Sequence, residues 1–268
     1  EGITEWLPIS STGHMLLVDE FMKMDMTQAF KDMFLVVIQF GAILAVIVIF
    51  WKQLWPLKVQ KLKHSSGHSI VLERSILSMW AKVIVGCLPA AVLGFLFDDL
   101  ITEYLYAPYV IAAMLIVYGI GFIVIETWNK KRVPKVNSIT EISYQSVLII
   151  GVFQALAMIP GTSRSGATII GALLLGISRT TAAEYTFFLA IPTMLGASGF
   201  KLLKYFLNSG FGFTSAELIS LAVGMVVAFA VSIVVIKFLM SYIKKHDFKI
   251  FGWYRIALGA LVLCLTPL

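Results

Sequence analysis

Long apolar runs separated by short polar ones organise the chain. A helix needs roughly 20 apolar residues to cross the hydrocarbon core of a bilayer, and six stretches meet or approach that length: about 33–51, 77–97, 108–126, 183–206, 217–240 and 251–268. Each predicts a transmembrane helix. Short loops rich in Lys and Arg stay in the cytoplasm. Here Lys52, Lys58, Lys61, Lys63 and Arg74 mark the first such loop, Lys130, Lys131, Arg132 and Lys135 the second, and Lys244, Lys245 and Lys249 the third. All three fall on one side of the predicted bundle, whereas 98–107 is acidic and 207–216 carries no charge.

Two apolar regions, 1–20 and 146–177, do not fit a simple crossing. Gln145 and Arg179 must both lie on the basic side, so the second region enters and leaves by the same face. Two full crossings of about 14 and 11 residues would be too short. The pattern therefore predicts a re-entrant helical hairpin whose tip is PGTSRSG, broken at Pro160 and Gly161 as expected for a helix end. The first region mirrors it. EWLPISSTGH and MIPGTSRSGA align through Leu7-Pro8 with Ile159-Pro160 and Ser10-Ser11 with Thr162-Ser163, allowing one inserted residue. The predicted fold is thus an all-α polytopic membrane protein, a single integral-membrane domain over 1–268, with six transmembrane helices and two re-entrant helical hairpins. Pseudo-repeats at about 1–126 and 146–268 have inverted topology, are joined by a basic loop, and bring their broken tips together near the midplane.

Composition agrees. Hydrophobic residues make up 59% and charged residues 13% of the 268, and the mean hydropathy is +0.90, far outside the range of soluble domains. The excess of 21 Lys+Arg over 15 Asp+Glu sits in a few loops, which suits an anionic lipid surface and not nucleic acid. Cys87 and Cys264 lie in apolar runs and are expected to be neither paired nor metal-bound. The opening on Glu1, with no charged segment before a cleavable apolar core, predicts a truncated first helix instead of a signal peptide.

Arg164 is the residue that asks for chemistry. A guanidinium held at the centre of a bilayer costs on the order of 3 kcal/mol by insertion scales, so something must compensate it. One partner would be a protein carboxylate, Glu1 or Glu5; the other would be an anionic ligand. Thr162, Ser163 and Ser165 add hydroxyls, Gly166 permits close backbone approach, and a helix restarting at Ala167 directs free N–H groups and a positive dipole end at the tip. Arginine, hydroxyls and a helix N-terminus together describe a cradle for phosphate or diphosphate. On the first tip Glu1 and Glu5 stand four apart, so on a helix they share a face. Two such carboxylates with phosphate oxygens suit a hard divalent cation, Mg²⁺ or Ca²⁺, while the absence of Cys/His spacing disfavours zinc. His14 is the best-placed group for proton transfer or attack on phosphorus. Ser10 and Ser11 are divided between helix capping and phosphate contact, Ser11 is also the competing nucleophile, and Thr12 is expected to contact substrate. His64, His68 and His246 lie in basic loops and are expected to be solvated.

The remaining polar residues have plainer readings. Lys82, Glu126, Lys237 and Arg255 are expected to snorkel from helix ends near the basic face. Gln39 and Gln154 are deep enough to tie the hairpin tips to their neighbours. Trp51, Trp55, Trp128 and Trp253 suit interfacial anchoring.

EGITEWLPISSTGH followed by PGTSRSGATI resembles the paired signature of the bacterial undecaprenyl-diphosphate phosphatase family, the integral-membrane type associated with bacitracin resistance. The likeness covers essentially the whole chain. It implies removal of the terminal phosphate from a polyprenyl diphosphate, which recycles the lipid carrier of cell-wall synthesis, with a divalent cation. It also implies a site opening to the extracytoplasmic side of the bacterial cytoplasmic membrane. The family's acidic pair falls on Glu1 and Glu5, its serines on Ser10 and Ser11, its histidine on His14, its serine-arginine pair on Ser163 and Arg164, and the end of its second motif on Thr168. Expected partners are the polyprenyl diphosphate substrate and membrane lipids; assembly as a homodimer is left open. A rival class, a transporter or flippase for an anionic polyprenyl phosphate, shares the architecture, but the acids and histidine facing an arginine are not what moving a headgroup needs. A channel would require repeated polar side chains along a span.

Overall fold

Inside lipid a chain must satisfy its own N–H and C=O groups, which an isolated segment does only as helix. The computed structural model, which describes residues 1–21, 27–61, 68–209 and 212–265, is built almost entirely in that way. Its helices are α1 (Ser11–Phe21), α2 (Gln28–Val37), α3 (Gln39–Ile49), α4 (Trp51–Leu54), α5 (Arg74–Leu105), α6 (Pro108–Asn129), α7 (Tyr144–Leu156), α8 (Arg164–Leu174), α9 (Arg179–Ser209), α10 (Ser215–Tyr242) and α11 (Lys249–Leu265). A short 3-10 helix, Ile139–Glu141, precedes α7.

Five stretches among the described residues are long and apolar enough to cross a membrane: Gln28–Ile49, Arg74–Phe97, Pro108–Asn129, Arg179–Asn208 and Ser215–Tyr242. The chain is a multi-pass membrane protein of the all-α class. The sixth expected span corresponds to α11, with 17 described residues; its last positions, 266–268, lie outside the described residues, as do Lys63 and His64. The apolar helices α7 and α8, with 13 and 11 residues, are too short to cross and pack against each other.

Several features depart from the expectations. Residues 2–9 form successive turns instead of a regular helical arm, because Pro8 has no N–H to continue the ladder. The first crossing breaks at Ile38 between α2 and α3. Helix α5 runs on to Leu105, so most of the expected acidic loop is helix. In the first basic loop Leu57–Lys61 (β1) pairs antiparallel with His68–Leu72 (β2), a ribbon without a signal among the lysines.

Helices meet where glycines remove the side chain, the usual device in membranes. A Cβ on Gly119 would stand 2.8 Å from Gly252 O, and one on Gly252 would stand 2.7 Å from Gly119 O, so α6 and α11 touch backbone to backbone. Gly151 of α7 meets Gly86 O and the Pro89 ring of α5, and Gly41 of α3 meets Met225 O of α10.

Three of the four charged residues expected to snorkel are buried instead. Lys82 donates to Ile139 O (3.4 Å) and Thr140 O (2.6 Å), pinning the 3-10 helix to α5. Glu126 pairs with Arg179 and accepts from Phe248 N at 3.1 Å, tying α6 to the starts of α9 and α11. Arg255 is wholly buried. Packing brings hydrogen-bonding partners within reach of each. Lys237 is exposed, in keeping with the expectation.

Candidate active site

Each tip is a helix start shaped by one serine. Ser10 has φ 70° and Ser163 has φ 71°, a left-handed conformation unusual outside glycine. Each hydroxyl then accepts from the backbone N–H three residues on: Ser10 Oγ from Gly13 at 3.4 Å, Ser163 Oγ from Gly166 at 3.2 Å. This geometry matches Ser10 with Ser163 and Gly13 with Gly166 with nothing inserted between them. The sequence alignment, anchored on the prolines, set Ser10 against Thr162, one position away.

The tips are in contact. Arg164 Nε and Nη2 both donate to Glu5 Oε1, at 3.2 and 3.0 Å, and Nη1 donates to Thr186 O of α9 at 3.0 Å. Ser11 Oγ donates to the other carboxylate oxygen, Oε2, at 3.1 Å. Ser165 Oγ donates to Glu5 O (3.1 Å) and Leu7 O (3.4 Å), stapling the second tip onto the first. Both ion-pair side chains are nearly enclosed, with 11% and 10% exposed. Trp6, fully buried against Phe187 with ring centroids 5.4 Å apart, walls the pair on one side, and its ring centroid lies 5.9 Å from Arg164 Cζ.

Glu5 N donates to Glu1 O at 3.0 Å, so the two acids stand one helical turn apart on the same face, as their spacing predicts, with their carboxyls adjoining. Gln39 Nε2 donates to Glu1 Oε1 at 2.9 Å, the tie to a hairpin tip that its depth suggests. Gln154, equally deep, has no hydrogen-bond partner for its amide nitrogen or oxygen among the described residues.

Other expected contacts are arranged differently. His14 Nδ1 lies 2.7 Å from Ser10 O and Nε2 lies 2.7 Å from Tyr254 Oη. A carbonyl only accepts, so Nδ1 carries the proton and the Nε2 lone pair receives the tyrosine hydroxyl. The imidazole therefore faces Tyr254 of α11 and not the Arg164–Glu5 pair. Gly166 N–H is taken by Ser163 Oγ and Ala167 N–H by Ser163 O (2.9 Å). The N–H groups of α8 left without an acceptor among the described residues are those of Arg164 and Ser165. Thr168 is buried, its hydroxyl bonded to Arg164 O (2.9 Å) and to Thr186 Oγ1 (2.9 Å), where it braces the arginine's turn. Thr162 is buried, its hydroxyl without a partner among the described residues, and Thr12 is half-buried on the first turn of α1.

Three participants have no signal in the motifs: Thr186, Tyr254 and above all Arg255. The Arg255 guanidinium donates to Thr162 O (2.8 Å), Gly161 O (2.9 Å) and Pro8 O (3.2 Å), and also to Leu115 O and Met114 O (both 3.4 Å). It clasps both tips from behind. Among the described residues no carboxylate is within ion-pair distance of it, so its charge adds to the positive field at the site.

A profile of the family described as Bacitracin resistance protein BacA matches residues 1–261. The chain belongs to this family. Within it, the chain is similar to an undecaprenyl-diphosphatase of Enterococcus faecalis, 62% identical over 100% of this chain and 94% of the relative. It is also similar to the undecaprenyl-diphosphatase of Desulfitobacterium hafniense, 58% identical over 98% and 91%, and to that of Lachnoclostridium phytofermentans, 57% identical over 98% and 92%. Both tips of this BacA-family chain lie inside the matched span. The adjoining carboxyls of Glu1 and Glu5 form an all-oxygen donor set of the kind a hard divalent cation takes. No group of three or more His, Cys, Asp or Glu suited to a metal occurs among the described residues, so phosphate oxygens or water would have to complete the shell.

Proposed function

We propose that the chain hydrolyses undecaprenyl diphosphate to undecaprenyl phosphate and inorganic phosphate, the activity that its relatives' names carry. The observation that supports this reading most directly is the Arg164–Glu5–Ser11 chain across the two tips, in which a hydroxyl, a carboxylate and a guanidinium meet within hydrogen-bond distance. That set suits chemistry on a phosphoanhydride and exceeds what gripping a headgroup requires. The names of the relatives likewise favour hydrolysis over the transport alternative.

In the free protein Glu5 neutralises Arg164. An arriving diphosphate displaces that carboxylate, and the guanidinium fork, together with the Arg164 and Ser165 N–H groups at the positive end of α8, holds the terminal phosphoryl oxygens. The hydroxyl bonded to a carboxylate gives Ser11 and Glu5 the geometry of nucleophile and base. Ser11 Oγ forms a bond to the terminal phosphorus as its proton passes to Glu5; the bond from that phosphorus to the bridging oxygen breaks, and undecaprenyl phosphate leaves. Water then attacks the phosphoserine, giving its proton to His14 Nε2 once the imidazole has turned from Tyr254 toward the tips; inorganic phosphate departs as Ser11 recovers its proton from Glu5, and His14 releases its proton to water. Glu1 and Glu5 would hold a divalent cation, Mg²⁺ or Ca²⁺, which supplies charge neutralisation to the diphosphate.

The same reading gives the chain two re-entrant hairpins, made by the first tip with α1 and by α7 with α8, in inverted-topology halves. The site then opens on the extracytoplasmic side of the bacterial cytoplasmic membrane, opposite the basic loops. Release of inorganic phosphate from farnesyl diphosphate by the detergent-solubilised protein tests the proposal. Arg164→Ala should lower turnover by about 10²–10³, and near-wild-type release by that variant would remove the cradle from the mechanism.

A further inference from the structure

A cavity lies away from the tips, at the opposite end of α8. It has a volume of about 700 Å³ and is lined by the end of α6, the segment after it, the turn between α8 and α9, and the start of the last basic loop. The eleven residues of α8 at 1.5 Å each put roughly 16 Å of helix between Arg164 and this cavity. It is a separate place in the protein.

Its walls are held in shape by backbone bonds. Lys135 N donates to Gly176 O at 2.8 Å and Ser178 N donates to Val136 O at 2.9 Å, so the connecting segment pairs with the α8–α9 turn. Asn129 Nδ2 donates to Leu173 O at 3.1 Å, which fastens the end of α6 to the same turn. Gly176, at φ +79°, lets the chain reverse there.

The charges lining the cavity are unbalanced. Lys130, Arg132, Lys135, Arg179 and Lys244 line it, with Glu126 the lone carboxylate. Glu126 is already spent on Arg179 and Phe248 N. Arg132 lies over the Trp128 ring, 3.6 Å from its centroid, which fixes a guanidinium at the rim. Among the described residues Lys130, Lys135 and Lys244 have no carboxylate within 4.0 Å. Leucines 173–175 and Ile177 supply an apolar floor, and Trp128 and Val133 are exposed beside the rim. A hollow with cationic walls and an apolar floor, opening beside an exposed tryptophan, matches an amphiphile with a phosphate head better than a bare ion.

We propose that this cavity is a second anion site, on the basic face that positive-inside bias assigns to the cytoplasm, and that it takes the phosphate group of an anionic membrane lipid. Basic pockets at such helix ends are the recurrent means of holding acidic headgroups, each lysine contributing about 1 kcal/mol.

The test uses the full chain in detergent, incubated with phosphatidylglycerol or phosphatidylcholine, with bound lipid read by native mass spectrometry. The wild type should retain phosphatidylglycerol selectively. The triple variant Lys130→Gln, Lys135→Gln, Lys244→Gln should lose that retention by roughly a hundredfold, three lysines at about 1 kcal/mol each, while the matching triple Lys→Arg variant keeps it. Phosphate release from farnesyl diphosphate by both variants certifies that they are folded. A parallel arm adds millimolar inorganic phosphate. Displacement of the lipid by phosphate alone supports the anion site with free phosphate as its occupant, and resistance to displacement supports the lipid. Equal phosphatidylglycerol retention by wild type and Gln variant overturns the proposal, because the lysines would then only orient the chain and offset helix carbonyls.

Discussion

Ser10 and Ser163, on different tips, share a positive φ, 70° and 71°, and the hydroxyl of each closes onto the N–H of a glycine three residues later. Left-handed backbone costs a non-glycine residue on the order of 1–2 kcal/mol, and sites that bind or react are where such strain is kept. Here the strain turns the chain sharply enough for α1 and α8 to begin at the point where the tips meet.

From this follows an ordered pair of substitutions at Ser163. Glycine relieves the strained φ and loses the cap, so stability should change by well under 1 kcal/mol. Alanine keeps the strain and loses the cap, costing about 1 kcal/mol. Thermal unfolding in detergent should therefore rank wild type and Ser163→Gly together, above Ser163→Ala. Ser163→Ala unfolding no earlier than Ser163→Gly would mean the backbone is relaxed there in solution.

Ser11 and Glu5 offer a direct check on the order of bond-making. A serine that attacks phosphorus leaves a phosphoserine, so rapid acid quench during turnover of labelled diphosphate should trap label on the wild type and none on Ser11→Ala. Glu5→Gln keeps the size of the side chain but removes both the base and the counter-charge of Arg164, and should suppress labelling with turnover. Label appearing on His14, or on nothing while turnover proceeds, would move the nucleophile to the imidazole or to water.

How much of this was legible beforehand depended on what each residue owes to chemistry and what it owes to packing. Arg164 and the acids could be paired from sequence because a charge in lipid demands compensation wherever the helices lie. Glu1 and Glu5 sharing a face followed from helical spacing alone, and Gln39 was placed by depth. The register of the two tips was off by one because proline is the visible landmark in the sequence, whereas the positive φ of Ser10 and Ser163 is what the backbone aligns. Glu126 and Lys82 were assigned to the interface by their distance from helix ends; nothing local announces that Arg179 or the Ile139 and Thr140 carbonyls come within reach. The β1–β2 ribbon lies in a loop whose lysines signal only sidedness. His14 was expected to confront the arginine, and it is the course of α11 that brings Tyr254 to it instead.

Arg255 belongs to the same class, and the prediction it carries is the most demanding. Its depth is set by backbone contact between Gly119 and Gly252, one turn before it on α11, so no property of the arginine itself reveals it. With one guanidinium it satisfies carbonyls from the first tip (Pro8), the second tip (Gly161 and Thr162) and α6. Removing it leaves the Pro8, Gly161 and Thr162 carbonyls buried without that partner, at about 1–3 kcal/mol for each group that water cannot reach, while the Met114 and Leu115 carbonyls keep their bonds within α6; it opens a void as well. Arg255→Ala should therefore destabilise the protein by 3 kcal/mol or more, and Arg255→Lys, which cannot span all three segments with one ammonium, should recover only part of that. Arg164→Ala strands the Glu5 carboxylate and so also lowers stability, but it should lower turnover far more than it lowers the unfolding temperature. Unfolding temperature and turnover measured on all three variants separate a residue that clasps the tips from one that grips the substrate. Arg255→Ala with wild-type stability and a selective loss of turnover would assign this arginine to the diphosphate instead.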